Sequence, residues 1–201
     1  MIGWLYDLMA RRAEAGGLGD LRSRLLGELE GDVLEIGAGT GASLPHYERA
    51  SRVVALEPDP SMAKRLPERV AAARVPVEVV AGSAEAIPYA NESFDVVVST
   101  FMLCSVADPA AVLAEARRVL KPDGKLVLLE HVRGEGRTAR WQERLTPLHR
   151  RIAGNCHLNR DTRATVAAAR FDATRVESIA LPGTHALVRS GIQGVAIKTS
   201  S

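Results

Sequence analysis

Val33-Leu34-Glu35-Ile36-Gly37-Ala38-Gly39-Thr40-Gly41 is a short aliphatic run that ends in three glycines at alternate positions. An apolar run this short, closed by turn residues, reads as a buried strand from Asp32 to Ile36. Glycines at its end let the backbone turn tightly and let a ligand approach the main chain. The stretch Ser43 to Arg49 reads as the next helix, with Pro45 near its start. A helix there presents free amide donors and partial positive charge to the turn. Such a turn holds a nucleotide or a carboxylate.

Two ligands compete for it. Gly37-x-Gly39-x-x-Ala42 matches the relaxed dinucleotide fingerprint, and Glu57 follows Gly37 at the distance of a ribose-binding acid, which suggests NAD. Glu35, two residues ahead of the first glycine, instead suits a ligand that carries cations. The amino and sulfonium groups of S-adenosylmethionine are such a ligand, and a third glycine at 41 rather than 42 fits it better.

Outward from this turn, β-branched runs alternate with helical stretches, the pattern of a parallel sheet covered on both faces. Further strands are expected at Arg52–Leu56, Val77–Ala81, Phe94–Ser99 and Lys125–Val132. Helices are expected from a cap at Asp20 along Leu21, Leu25, Leu26 and Leu29, from a cap at Ser61 to about Ala73, and from Pro109 to Leu120. Lys121-Pro122-Asp123-Gly124 reads as a turn on its chemistry. Arg137 to Asn159 breaks the rhythm as an insertion, and a helix follows from Asp161 or Thr162 to Ala169. Thr174–Leu181 and Ile192–Lys198, joined by a short connection, read as an antiparallel hairpin. The expected fold is α/β: a doubly wound, mostly parallel seven-stranded sheet with a C-terminal antiparallel hairpin and a helical insertion after the fifth strand.

The chain has 201 residues, 46% hydrophobic and 25% charged, which suits one globular domain spanning 1–201 and excludes global disorder. Its net charge of +2 is too balanced for a nucleic-acid-coating protein. Cys104 and Cys156 are the only cysteines, too few for a disulfide framework. Met1 to Arg12 lacks a basic leader before its apolar residues, so it does not read as a signal peptide, and a cytoplasmic protein is the expectation.

Glu35-x-Gly37-x-Gly39-x-Gly41 resembles the first motif of the class I S-adenosylmethionine-dependent methyltransferases. Glu57 matches that family's acid for the ribose hydroxyls, and Pro58, Asp59 and Met62 follow in the family's pattern, with Met62 against the adenine. Gly82-Ser83-Ala84-Glu85 matches the adenine-contacting turn, although the family more often has Asp where Ser83 stands. Asp95 to Ser99 and Leu120 to Lys125 match later motifs. The resemblance implies S-adenosylmethionine as cofactor, held by Glu35, Gly37, Ala38, Gly39, Gly41, Glu57, Pro58, Met62, Ser83, Ala84, Glu85, Thr100, Phe101 and Met102. Ser99 to Val106, Glu130-His131-Val132 and Cys156 to Thr162 are similar to thiol S-methyltransferases. Gly41 to Tyr47 is similar to those and to bacterial phosphatidylethanolamine N-methyltransferases. The implied activity is methyl transfer to a small apolar acceptor, a thiol ahead of a lipid or small-molecule amine. A nicotinamide-dependent dehydrogenase and a non-catalytic S-adenosylmethionine-binding protein stay open as other classes.

Positioning can supply much of the rate of an in-line displacement, so no strict catalytic motif is expected. His131, at the ligand-binding end of the fifth strand, is the candidate base. Cys156 and His157 are candidate substrate contacts, and no metal is expected because two ligands do not close a zinc site. Trp4 and Tyr6 are candidates for a helical N-terminal lid, residues 1–19, that closes over the cofactor, and Tyr6 is a further candidate substrate contact. Residues 133–163 carry eight arginines against Glu135, Glu143 and Asp161, a local +5. Trp141, Leu145, Leu148 and Ile152 share one helical face among them, and Pro147 should bend or split that helix. This face packs on the domain, roofs the substrate over 137–160, or rests on an anionic membrane. Packing plus a roof, with Trp141 touching substrate, is the expectation. Nucleic acid is not an expected partner.

Overall fold

In the computed structural model residues 12–199 are described. Seven strands form one sheet: β1 (Gly31–Ile36), β2 (Ala50–Leu56), β3 (Val77–Val80), β4 (Phe94–Thr100), β5 (Leu120–His131), β6 (Phe171–Ala180) and β7 (Ser190–Lys198). Their order is β3-β2-β1-β4-β5-β7-β6. The first five are parallel, and β7 runs antiparallel between β5 and β6. The chain order reverses at β1, so β1 and its neighbour β4 flank the switch point where open parallel sheets leave a crevice.

Alternation along β1 sorts its side chains between two cores. Leu34 and Ile36 join Val54, Leu56, Val97 and Phe94 on one face. Val33 joins Val53, Ala55, Val96 and Val98 on the other, with Leu26, Leu44 and Tyr47. Helix α4 (Pro109–Val119) and helix α6 (Thr162–Ala168) cover the first face through Val112, Leu113, Ala116, Val119 and Val166. Helix α1 (Gly19–Leu26) and helix α3 (Leu66–Ala71) cover the second through Leu26 and Leu66. Each valine, leucine, isoleucine or phenylalanine among them contributes about 1.5–3 kcal/mol by leaving water.

Several local expectations are corrected. Asp20 caps nothing: a π-helical turn (Glu14–Leu18), kinked at Gly17 with φ 113°, leads directly into α1. Ser43 to Arg49 forms only a 3-10 turn at Leu44–His46, because Tyr47 turns extended. Asp59, not Ser61, caps helix α2 (Pro60–Ala63), its carboxylate accepting from the Ser61 amide at 2.8 Å. Pro67 then starts α3 afresh, since proline suits a first helical turn and not an interior. The turn at 121–124 survives as an outward bulge within β5. Phe94 pairs with Leu120, but Val96 pairs with Lys125. Helix α5 (Gly136–Ile152) continues through Pro147 without splitting.

Candidate active site

A cavity of about 380 Å³ opens at the C-terminal ends of β1, β2 and β4. Its floor is the glycine turn. Gly37 sits at φ 67°, where a side chain would collide with Met102. Gly41 packs against Leu66 and Arg69 of α3 and does not face the cavity. The absent side chain at Gly39 leaves open space: a Cβ there would meet nothing nearer than 4.0 Å.

Glu57, just past β2, is the hub of one wall. Its Oε2 accepts from the Gly39 amide at 2.7 Å and its Oε1 from the Asp59 amide at 2.8 Å. Burial raises its pKa above the usual carboxylate range, and the two amide hydrogen bonds pull it back. The carboxylate is thus fixed across the turn with free lone pairs beside an open cavity. Pro58, Met62, Ser83, Ala84 and Glu85 continue this wall.

Glu35 stands one layer behind the cavity, 1% exposed. It accepts from Tyr47 Oη at 3.2 Å and lies 3.5 Å from the Thr100 hydroxyl. Burial raises its pKa, partly offset by Ser43, Arg22, Tyr47 and Thr100. Arg22 reaches the cavity from α1 although it is 6% exposed. Its Nε donates to Glu14 at 3.0 Å and its Nη1 to Ser43 at 2.7 Å, and the guanidinium lies over Phe101 at 5.5 Å. Sequence reading overlooked it. The available signal was a charged residue on the apolar face of a helix, between Leu18 and Leu25 or Leu26.

The opposite wall is shaped by Glu130. Phe101 adopts φ 54°, a left-handed turn that bulky residues rarely take. That turn aims the amides of Met102 and Leu103 at the Glu130 Oε1, at 3.1 and 3.2 Å, while Ser99 Oγ donates to the same atom at 2.6 Å. A carboxylate buried in β5 therefore positions Phe101 and Met102, which line the cavity.

The methyltransferase-domain family model matches residues 34–128, which hold the glycine turn, Glu57 and the strand that leads into Phe101. A thiol S-methyltransferase of Homo sapiens is 36% identical over 171 residues, 83% of this chain and 70% of that protein. The chain belongs to the class I S-adenosylmethionine-dependent methyltransferases. A phosphatidylethanolamine N-methyltransferase of Cereibacter sphaeroides is 35% identical over 103 residues, 50% of this chain and 51% of its own. A solved SAM-dependent methyltransferase from Thermotoga maritima superposes with a TM-score of 0.68 at 25% identity, covering 96% of this chain and 92% of that one.

The cavity fits the cofactor of this family. It joins an anchored carboxylate (Glu57) and a guanidinium (Arg22) across a floor with space above Gly39. Twelve of the expected cofactor residues line it; Glu35 and Gly41 lie behind the wall. The expected acceptor residues of this methyltransferase are placed differently. His131 is 2% exposed, absent from the cavity lining, and turned toward Cys156. It lies behind the wall and not in it. Cys156 and His157 also lie off the cavity wall; His157 binds the Cys104 carbonyl through its amide at 2.8 Å. Helix α5 buries Ala139, Gln142 and Thr146, so the stripe expected to pack inward faces out, with Trp141 53%, Leu148 59% and Ile152 63% exposed. Gln142 explains the orientation. It accepts from the Gly134 amide and donates to the Leu187 carbonyl, both at 2.8 Å. Only Ala153 and Gly154, just past α5, reach the cavity. Trp4 and Tyr6 lie outside the described residues, as does all but the end of the 1–19 segment. Among the described residues no helix is long and apolar enough to cross a membrane.

Proposed function

We propose that this methyltransferase methylates the sulfur of a small, apolar thiol. The relative that is 36% identical across most of both chains carries this reading, because it is a thiol S-methyltransferase. The cavity supports it: Phe101, Met102, Ser105, Val106, Ala107, Ala153 and Gly154 form a stretch of wall without an ionisable side chain. Such a wall suits a neutral apolar acceptor better than a cationic amine.

In this reading Glu57 accepts the ribose hydroxyls, and Met62, Ser83, Ala84 and Glu85 border the adenine. Arg22 faces the carboxylate of the methionyl part, and Glu35 acts from behind through Thr100. When bound, S-adenosylmethionine supplies its methyl from an activated sulfonium: the acceptor sulfur bonds to the methyl carbon as the carbon–sulfonium bond breaks, releasing S-adenosylhomocysteine. The chain's own work is to hold the acceptor in line and to exclude water. The acceptor thiol must also lose its proton; among the described residues the acidic groups of the wall are Glu57, Asp59 and Glu85, and no histidine, lysine or cysteine lines it.

The test is methyl transfer from labelled S-adenosylmethionine to a panel of alkyl and aryl thiols beside phosphatidylethanolamine vesicles and small amines. Turnover of thiols above the amines is expected. Turnover of the amines alone would replace this reading with N-methylation.

A further inference from the structure

Three soft donors converge beside the cavity from segments far apart in the chain. Cys104 follows β4, His131 ends β5, and Cys156 lies in the loop after α5. Cys104 Sγ and Cys156 Sγ are 3.6 Å apart, Cys156 Sγ and His131 Nδ1 are 3.8 Å apart, and all three donor atoms lie within 4.8 Å of one another. Tetrahedral zinc, with Zn–S of about 2.3 Å and Zn–N of about 2.0 Å, sets sulfurs about 3.8 Å apart and sulfur and nitrogen about 3.6 Å apart. Two of the three edges meet those spacings to within about 0.2 Å, and the third is no longer than 4.8 Å. Cys104 is 3% exposed and His131 2%, so two of the three donors are shielded from water.

We propose that Cys104, Cys156 and His131 form a zinc site whose fourth position is open to the sulfur of the acceptor. Charge favours zinc here: two thiolates and a neutral imidazole around a divalent ion sum to zero, the least costly charge for a buried group. The donors are held by contacts of their own. Arg160 donates to the carbonyls of Leu103 and Val106 at 2.5 and 2.7 Å, and the His157 amide to that of Cys104, tying the two cysteine segments together. Sequence reading stopped at the adjacent Cys156 and His157. The structure replaces His157 with His131 and adds Cys104.

Three protein ligands with one open vertex is the arrangement of catalytic rather than structural zinc. Both cysteine segments reach the cavity, through Met102 and Ser105 on one and Ala153 and Gly154 on the other. A thiol bound to zinc gives up its proton outright, to solvent, and becomes a thiolate ligand. This would supply the deprotonation that the acceptor thiol needs. This open-vertex part rests on the thiol reading; the metal site does not.

The experiment uses the full chain, reduced, stripped with a chelator and titrated with Co²⁺ as a spectroscopic stand-in for zinc. The expected result is the intense visible absorption of tetrahedral cobalt with a near-ultraviolet thiolate-to-cobalt band, both abolished by stoichiometric Zn²⁺. Cys104→Ser and Cys156→Ser should each lose the thiolate band, and His131→Ala should weaken binding at least tenfold, while S-adenosylhomocysteine affinity, unchanged, reports an intact fold. Should a serine variant fail to fold, the histidine variant carries the same test. A pale octahedral spectrum, or an unaltered spectrum in the variants, overturns the site. Adding an alkyl thiol should shift the cobalt spectrum. An unshifted spectrum, or thiol methylation at full rate by the metal-free protein, overturns the open vertex. Absence of thiol methylation with and without metal would instead sink the thiol reading and leave a tetrahedral cobalt spectrum standing.

Discussion

Glu130→Ala is the sharpest test of how the cavity is built. The Glu130 Oε1 collects the Ser99 hydroxyl and the Met102 and Leu103 amides, and no other acceptor is offered to those two amides. Hydrogen bonds to charged groups are worth about 1.5–3 kcal/mol each, and a buried donor left unsatisfied costs about 1–3 kcal/mol. Against this stands the desolvation of the acid itself, which raises its pKa. The net loss should be about 2–4 kcal/mol, a fall in Tm of roughly 4–16 °C for a chain of this size. Cofactor affinity should fall as well, because Phe101 and Met102 lose the anchor that holds their left-handed turn. Glu130→Gln keeps the Oε1 acceptor and removes the charge, so it should stay within about 1 kcal/mol of the parent. The pH dependence separates the parent, which alone keeps a titrating group here, from both variants. A raised folded pKa gives stability that is complete below the unfolded value and lost as pH climbs through the folded one. The parent should therefore lose stability relative to Glu130→Gln as pH rises from the ordinary carboxylate range, then level off. Thermal melts from pH 4 to 8 with S-adenosylhomocysteine titrations read both effects. Equal destabilisation by Gln and Ala would refute the reasoning, since the acceptor would then not be what holds the turn.

Other predictions follow from the same geometry. Gly37→Ala should force Met102 out of place and weaken cofactor binding severalfold with little loss of fold, measured by calorimetry against a melt. Arg22→Met should keep the packing on Phe101 and lose the charge, lowering affinity for S-adenosylmethionine more than for adenosine; equal losses would mean that Arg22 only packs. Asp108→Ala removes the cap whose carboxylate accepts from the Ala110 and Ala111 amides at 2.9 and 3.1 Å, and should cost about 1 kcal/mol in a denaturant titration without changing methyl transfer.

The sheet was legible because its strands are short aliphatic runs bounded by turn residues, and because the order of elements leaves few topologies. The cavity floor and the Glu57 wall were legible for a related reason: each contact there is local to a strand end and the turn after it. What escaped reading depends on contacts across the fold. Arg22 is carried to the cavity from α1 by an ion pair with Glu14 and by Ser43, neither of which marks a site in sequence. Glu130 looks like a neighbour of His131, and only the turn at Phe101 adds two amide donors to the Ser99 hydroxyl. The Trp141 stripe misled because an amphipathic pattern shows that a helix has two faces, not which one packs. Gln142, a polar residue on the less apolar side, found partners and chose the other face.

Calorimetric titration of the protein and of Glu57→Ala with S-adenosylmethionine, S-adenosylhomocysteine and NADH tests the central claim most directly. The account predicts that both sulfur nucleotides bind and NADH does not. It further predicts that Glu57→Ala loses about 1.5–3 kcal/mol, roughly tenfold to 150-fold in affinity, with the ribose contacts. Binding of NADH alone, or sulfur-nucleotide affinity unchanged by the substitution, would contradict it.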